Sequence, residues 1–68
     1  MRIYYVSLYG GYCGLLAARS LRSATSRALR EHGSRNLQCV RPAAKRDIED
    51  VSSMGGYVPP GRTDSGRR

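Results

Sequence analysis

The sequence predicts a small α+β domain: a three-stranded antiparallel sheet in order 2-1-3, one packed helix and a short C-terminal helix. Three observations carry this. Residues 3–9, Ile-Tyr-Tyr-Val-Ser-Leu-Tyr, alternate with period two and are rich in aromatic and β-branched side chains, the pattern of a half-buried strand. Gly10-Gly11 follows at once and is a hairpin signal, because glycine allows positive φ at both central positions of a tight turn. Ser20 then opens and Gly33 closes a segment whose apolar residues recur at helical spacing.

The elements follow in order. In the first strand Tyr4, Val6 and Leu8 fall on one face, and Ile3, Tyr5, Ser7 and Tyr9 on the other. Tyr12 to Ala18 is the return strand, with Gly14 marking a bulge or a close backbone approach. Ser20 is an N-cap, since its hydroxyl can accept from an amide one turn in. Leu21 to His32 forms the first helix, with Leu21, Ala24, Ala28 and Leu29 as its apolar stripe and Gly33 after its last turn. Asn36 to Arg41 is the third strand, Leu37 and Cys39 sharing one face and Gln38 and Val40 the other, with Pro42 ending it. Ala44 to Met54 is a second helix with Ala44, Ile48, Val51 and Met54 as its stripe; Asp47 suits its first turn and Gly55-Gly56 stops it. Residues 1–56 thus form one ββαβα domain, and 57–68 an extended basic tail that adds nothing to the core. A hairpin followed by a crossover places the third strand beside the first. The first helix covers one sheet face. The face with Ile3, Tyr5 and Tyr9 is left either to the second helix or to a partner.

Charge narrows the range of functions. The 68 residues carry twelve basic and five acidic side chains, a net +7, and eleven of the twelve are Arg. The charge divides as +6 over residues 1–43, −1 over 44–56 and +2 over 57–68. Such a surface attracts acidic or polyanionic partners over long range. The Arg bias reads either as forked recognition of phosphate or carboxylate or as the codon composition of a GC-rich genome.

The cysteines and the N-terminus say less. Cys13 and Cys39 lack a partner at metal spacing, and His32 is the only histidine, so a metal site is one ligand short. They are read as two buried thiols of a reducing compartment, with a disulfide open on count alone. Residues 3–18 are uncharged but carry three glycines, too short and too interrupted for a membrane span. Arg2 before this run is faintly like a signal peptide, and five Arg, four Ser and no acid in the first 30 residues fit a mitochondrial presequence. Four tyrosines and the Gly-Gly pair suit strands and a turn better. The expected location is cytoplasmic.

No catalytic constellation emerges. One histidine at a helix end gives no Ser-His-acid or Cys-His site, and Gly10-Gly11 lacks the spacing of a phosphate loop. The chain is read as a binding protein, not an enzyme, with no cofactor. The best candidates for partner contact are Arg22, Arg27 and Arg30 on the polar side of the first helix, with Arg19 just before it. Tyr5 and Tyr9 are the aromatic candidates, for stacking or for plain cross-strand packing.

Hairpin, serine-started helix and a strand ending Cys39-Val40-Arg41-Pro42 resemble small early proteins of tailed phages. The element order is similar to that of the T7 phage inhibitor of bacterial RNA polymerase. The stretch Val40-Arg41-Pro42-Ala43 through Asp47-Ile48 to Met54-Gly55-Gly56-Tyr57-Val58-Pro59 is also similar to small phage proteins. The resemblance spans residues 3–59 and implies a phage-encoded protein that modulates or inhibits a host macromolecule. The sequence departs from it where that inhibitor has an acidic helix and this chain has Arg22, Arg27 and Arg30, so a mechanism of acidic contacts does not carry over. The expected partner is an acidic host protein surface. The alternatives are a nucleic-acid-binding module using the Arg helix, and a small virion or assembly component. No membrane partner is expected, and self-association stays open.

Overall fold

The computed structural model describes residues 1–62. Its elements are β1 (Arg2–Leu8), β2 (Cys13–Ala18), α1 (Leu21–His32), β3 (Leu37–Pro42) and α2 (Lys45–Ser53). The three strands form one antiparallel sheet in order β2-β1-β3, as the sequence predicts. The hairpin differs in one detail. Leu8 N–H donates to Tyr12 O (2.8 Å), so three residues, Tyr9-Gly10-Gly11, make the connection rather than two. Gly10 and Gly11 both take positive φ, 97° and 91°, a region closed to most side chains.

Period-two alternation in β1 sorts the molecule into two sides. Tyr4 and Val6 are buried with Leu16, Ala18, Ala24 and Ala28, and Leu8, Leu37 and Val40 pack around them. This is the face under α1. The helix opens where Ser20 Oγ accepts from Ser23 N–H (3.1 Å) and closes where Gly33 N–H donates to Leu29 O (2.8 Å). Its buried seam is narrower than the sequence stripe. Ala24 and Ala28 are 0 % exposed, whereas Leu21 and Leu29 are 45 % and 41 % exposed. The helix rests on the sheet through two methyl groups, which brings its axis close and leaves the longer leucines at the margin.

Two further expectations are corrected. Ser7 lies opposite Cys39 but Leu8 lies opposite Leu37, so Gln38 is an extra residue in β3. That bulge reverses the alternation: Leu37 and Val40 both reach the core while Cys39 is exposed. The segment after α2 also returns to the sheet instead of leaving it. Pro59 is buried, Ile3 N–H donates to Arg62 O (2.7 Å) and Arg62 N–H to Met1 O (2.9 Å). Residues 57–62 therefore belong to the fold; 63–68 of the expected tail lie outside the described residues.

The second face of the sheet carries Ile3, Tyr5 and Ser7 with the residues opposite them: Ala17, Leu15 and Cys13 on β2, Arg41 and Cys39 on β3. It is covered at one end only. Ile3 is buried there with Ala43 and Val51, and α2 packs against β2. Met54, expected on the α2 stripe, is exposed, because the helix has already ended. Gly55 N–H donates to Ser52 O (3.0 Å) and Gly56 N–H to Val51 O (2.9 Å), the paired bonds of a Schellman stop. A Cβ on Gly56 would lie 2.6 Å from Val51 Cγ1, so a side chain there would force Val51 to shift. Among the described residues no helix is long and apolar enough to cross a membrane.

The alanine seam sets a testable contrast. Ala28→Leu should lower stability by about 1–3 kcal/mol through overpacking, whereas Leu29→Ala should cost less than about 1 kcal/mol. Urea unfolding of the two variants measures both, and equal losses would place the helix seam elsewhere.

Candidate functional site

The open end of the second face is built around Tyr5 on the central strand. Arg41 lies directly opposite it on β3, and the guanidinium carbon sits 4.3 Å from the Tyr5 ring centroid, a cation–π stack. The guanidinium is held by a fork: Nη1 donates to Asp47 Oδ2 (2.7 Å) and Nη2 to Asp47 Oδ1 (3.0 Å). Asp47 Oδ2 also accepts from Ala44 N–H (2.8 Å), so one carboxylate starts α2 and ties it to β3. Asp47 is the buried acid of the described chain, and its charge is satisfied on both oxygens.

The electrostatics follow this geometry. The Arg41 hydrogen bonds hold the Asp47 carboxyl below its ordinary range, against burial, which pulls the other way. The same bonds hold the Arg41 guanidinium above its ordinary value. Tyr5 is raised, first by its hydrogen bond with Cys13 and then by burial. Cys13 and Cys39 both lie opposite Ser7, one on each side of β1. Two strand spacings separate them, about 9.5 Å, beyond the ~7 Å reach of a disulfide; both are free thiols, but they are not both buried as expected, since Cys13 is half-buried and Cys39 exposed. Ser7 Oγ donates to Gln38 Oε1 (3.0 Å), fixing the bulge beside them.

The structure disperses the six residues singled out from the sequence. Arg22, Arg27 and Arg30 are exposed on α1 but fan across roughly 140° of its circumference at 3.6 residues per turn. Arg22 and Arg30 face away from the sheet. Arg27 reaches down its flank, and its Nη1 donates to Ala17 O (2.7 Å). Arg19 lies at the end of β2, where it lines a shallow concavity with Met1, Arg2 and Arg62. Tyr5 is on the opposite side of the sheet from α1 and already carries Arg41 on its ring. Tyr9 is 60 % exposed at the hairpin tip, four residues along the chain from Tyr5. A single flat partner cannot meet all six at once.

Two features escape the sequence reading. Arg41 and Asp47 are six residues apart across a strand end and a helix start, and neither periodicity pairs them. Arg2, Arg19 and Arg62 meet only because the chain returns to β1. Asp47 in a helix first turn is the one signal that points at the first of these. His32 stays in the last turn of α1, its Nε2 3.9 Å from Glu31 Oε1. Among the described residues no three metal-binding side chains come together. No family model, no curated protein and no solved structure matches the chain.

Asp47→Asn should cost about 1 kcal/mol at neutral pH, the size expected for a half-exposed pair with an added amide bond. The sign with pH is fixed by the lowered Asp47 value. Its stabilisation is complete above the unfolded carboxylate range near ~4 and is lost as pH falls through the folded value. Urea midpoints taken from pH 7 downward should therefore fall more steeply for the parent than for the variant, and parallel curves would remove Asp47 from this role.

Proposed function

We propose that the chain is a small basic binding protein that docks on an acidic protein surface and modulates that protein, in the manner implied by its likeness to phage early proteins that act in the host cytoplasm. The observation that carries the reading is how charge is displayed. All ten basic residues among residues 1–62 are exposed, against four acids, of which Asp47 is buried and bound by Arg41. With that pair neutral, nine exposed basic residues stand against three exposed acids among residues 1–62, and this excess favours encounter with negative partners. Arg22 and Arg30 are the leading contacts. They stand on the outer side of a helix whose inner side is sealed by Ala24 and Ala28, so they can meet a partner without loosening the core.

A recess of about 90 Å³ lies under the end of α1, lined by Val6, Cys13, Leu16, Glu31 and His32 among others, and a wider one of about 410 Å³ lies beside β2, where Leu15, Ala17, Arg27 and Glu31 meet Tyr57 and Pro59. A second reading, nucleic-acid binding, is favoured by Tyr9 and Tyr12, both exposed at the hairpin tip, where their rings can stack on unpaired bases.

Capture from a nuclease-treated bacterial lysate, set beside titration with single-stranded and duplex DNA, separates the two. The acidic-protein reading expects a stoichiometric protein complex after nuclease. Arg22→Gln with Arg30→Gln should then weaken it by about threefold to tenfold, mostly through slower association. Loss of all partners with nuclease, together with DNA affinity whose salt slope drops by about one per lost phosphate contact, would replace it with the nucleic-acid reading. Unchanged binding by the double variant would remove the α1 arginines from the interface.

A further inference from the structure

The two edges of the sheet are unequal. Edge β3 is interrupted by the Gln38 bulge, carries Arg41 and ends at Pro42, all devices that discourage strand addition. Edge β2, Cys-Gly-Leu-Leu-Ala-Ala, carries no charge, no proline and no bulge. Its free groups can be placed from the ladder. Ile3 O accepts from Ala43 N–H (3.0 Å) and Ile3 N–H donates to Arg62 O (2.7 Å), so Ile3, Tyr5 and Ser7 turn their polar groups away from β2. Arg2, Tyr4 and Val6 then bond Ala18, Leu16 and Gly14, which lie opposite them, and Cys13, Leu15 and Ala17 turn their N–H and C=O outward. One of these is blunted: Ala17 O accepts from Arg27 (2.7 Å).

We propose that this chain forms a two-fold dimer by antiparallel pairing of β2 with β2 of a second copy, centred on Leu15, giving a continuous six-stranded sheet. The outward groups at 13, 15 and 17 are symmetric about Leu15. In that register Leu15 exchanges both bonds with Leu15 of the partner subunit, and Cys13 pairs with Ala17 of the partner subunit. The flanking charges match in the same register. Arg27 lies beside Ala17, while Glu31 lies beside Cys13, Gly14 and Leu15. Turning one copy about Leu15 brings Arg27 against Glu31 of the partner subunit, twice over, so a chain of net charge +7 meets its copy at a neutral edge with complementary ends. A second copy is thus the occupant that both the hydrogen-bond pattern and the charges fit. The dimer leaves Arg22 and Arg30 free on the outer side of each helix.

Sedimentation equilibrium of the full chain from micromolar to about millimolar concentration tests this. The parent should dimerise, and Leu15→Lys should be monomeric, because an edge lysine opposes strand pairing while Leu15 makes no backbone bond to β1. Circular dichroism confirms that the variant is folded. Should it not fold, a charge exchange keeps the test intact. Arg27→Glu should raise the dimer dissociation constant by about tenfold, and adding Glu31→Arg should restore it. In the parent, amide exchange at Cys13, Leu15 and Ala17 should slow as concentration rises. A parent that stays monomeric, a Leu15→Lys variant that dimerises as tightly, or a double charge exchange that fails to restore what Arg27→Glu lost would each overturn the proposal.

Discussion

Strand β1 is hydrogen-bonded along both of its edges, to β2 on one side and to β3 and Arg62 on the other, and each feature of the molecule is placed by it. Its alternation assigns Tyr4 and Val6 to the face under α1 and Ile3 and Tyr5 to the other. A one-residue slip of β2 would turn Leu16 and Ala18 out of the core, and a slip of β3 would do the same to Val40. In so short a chain few other contacts could compensate, because the apolar area available to offset chain entropy is small. Two alanines on α1 then suffice to seal the first face, since close approach replaces bulk.

The same strand explains why charge and chemistry sit apart. α1 takes the first face, so its arginines project outward, on the far side of the sheet from Tyr5. The second face is too long for α2 to cover. Its Ile3 end closes with Ala43 and Val51, and its Tyr5 end is shielded by Arg41, held flat by Asp47. The role of the buried carboxylate is thus structural. It starts α2 and orients Arg41. What remains at the sheet's margin is the uncharged edge of β2, between Arg27 and Glu31 and beside the recess that Tyr57 and Pro59 help to line.

The local part of this architecture is legible in the sequence. Alternation in residues 3–9, the Gly-Gly turn, the Ser20 cap and the Gly33 stop each depend on residues a few positions apart, and the strand order follows from their succession. What is not legible depends on one element meeting another. Leu29 recurs at helical spacing, yet the helix turns toward Ala24 and Ala28, because the depth of approach is set by the sheet beneath. Simple alternation puts Cys39 with Leu37, yet the Gln38 bulge, forced where β3 passes Ser7 and Leu8, sends Val40 inward instead. The Arg41–Asp47 fork and the return of Arg62 to β1 join segments whose separation carries no periodic signal. Helical spacing alone puts the arginines of α1 on its exposed side. Their spread around the helix, and the tie from Arg27 to β2, emerge only with the neighbouring strand in place.

Residue-resolved amide exchange of dilute protein tests the central role of β1 most directly. The account predicts that the amides of Ile3 through Ser7 exchange slowest and together, whichever edge they face, at the free energy of global unfolding. Cys13, Leu15 and Ala17, turned outward on β2, should exchange faster than Gly14, Leu16 and Ala18 by orders of magnitude. Uniform protection along β2 under dilute conditions, or early exchange of alternate β1 amides, would contradict this sheet register and the placement of both faces that depends on it.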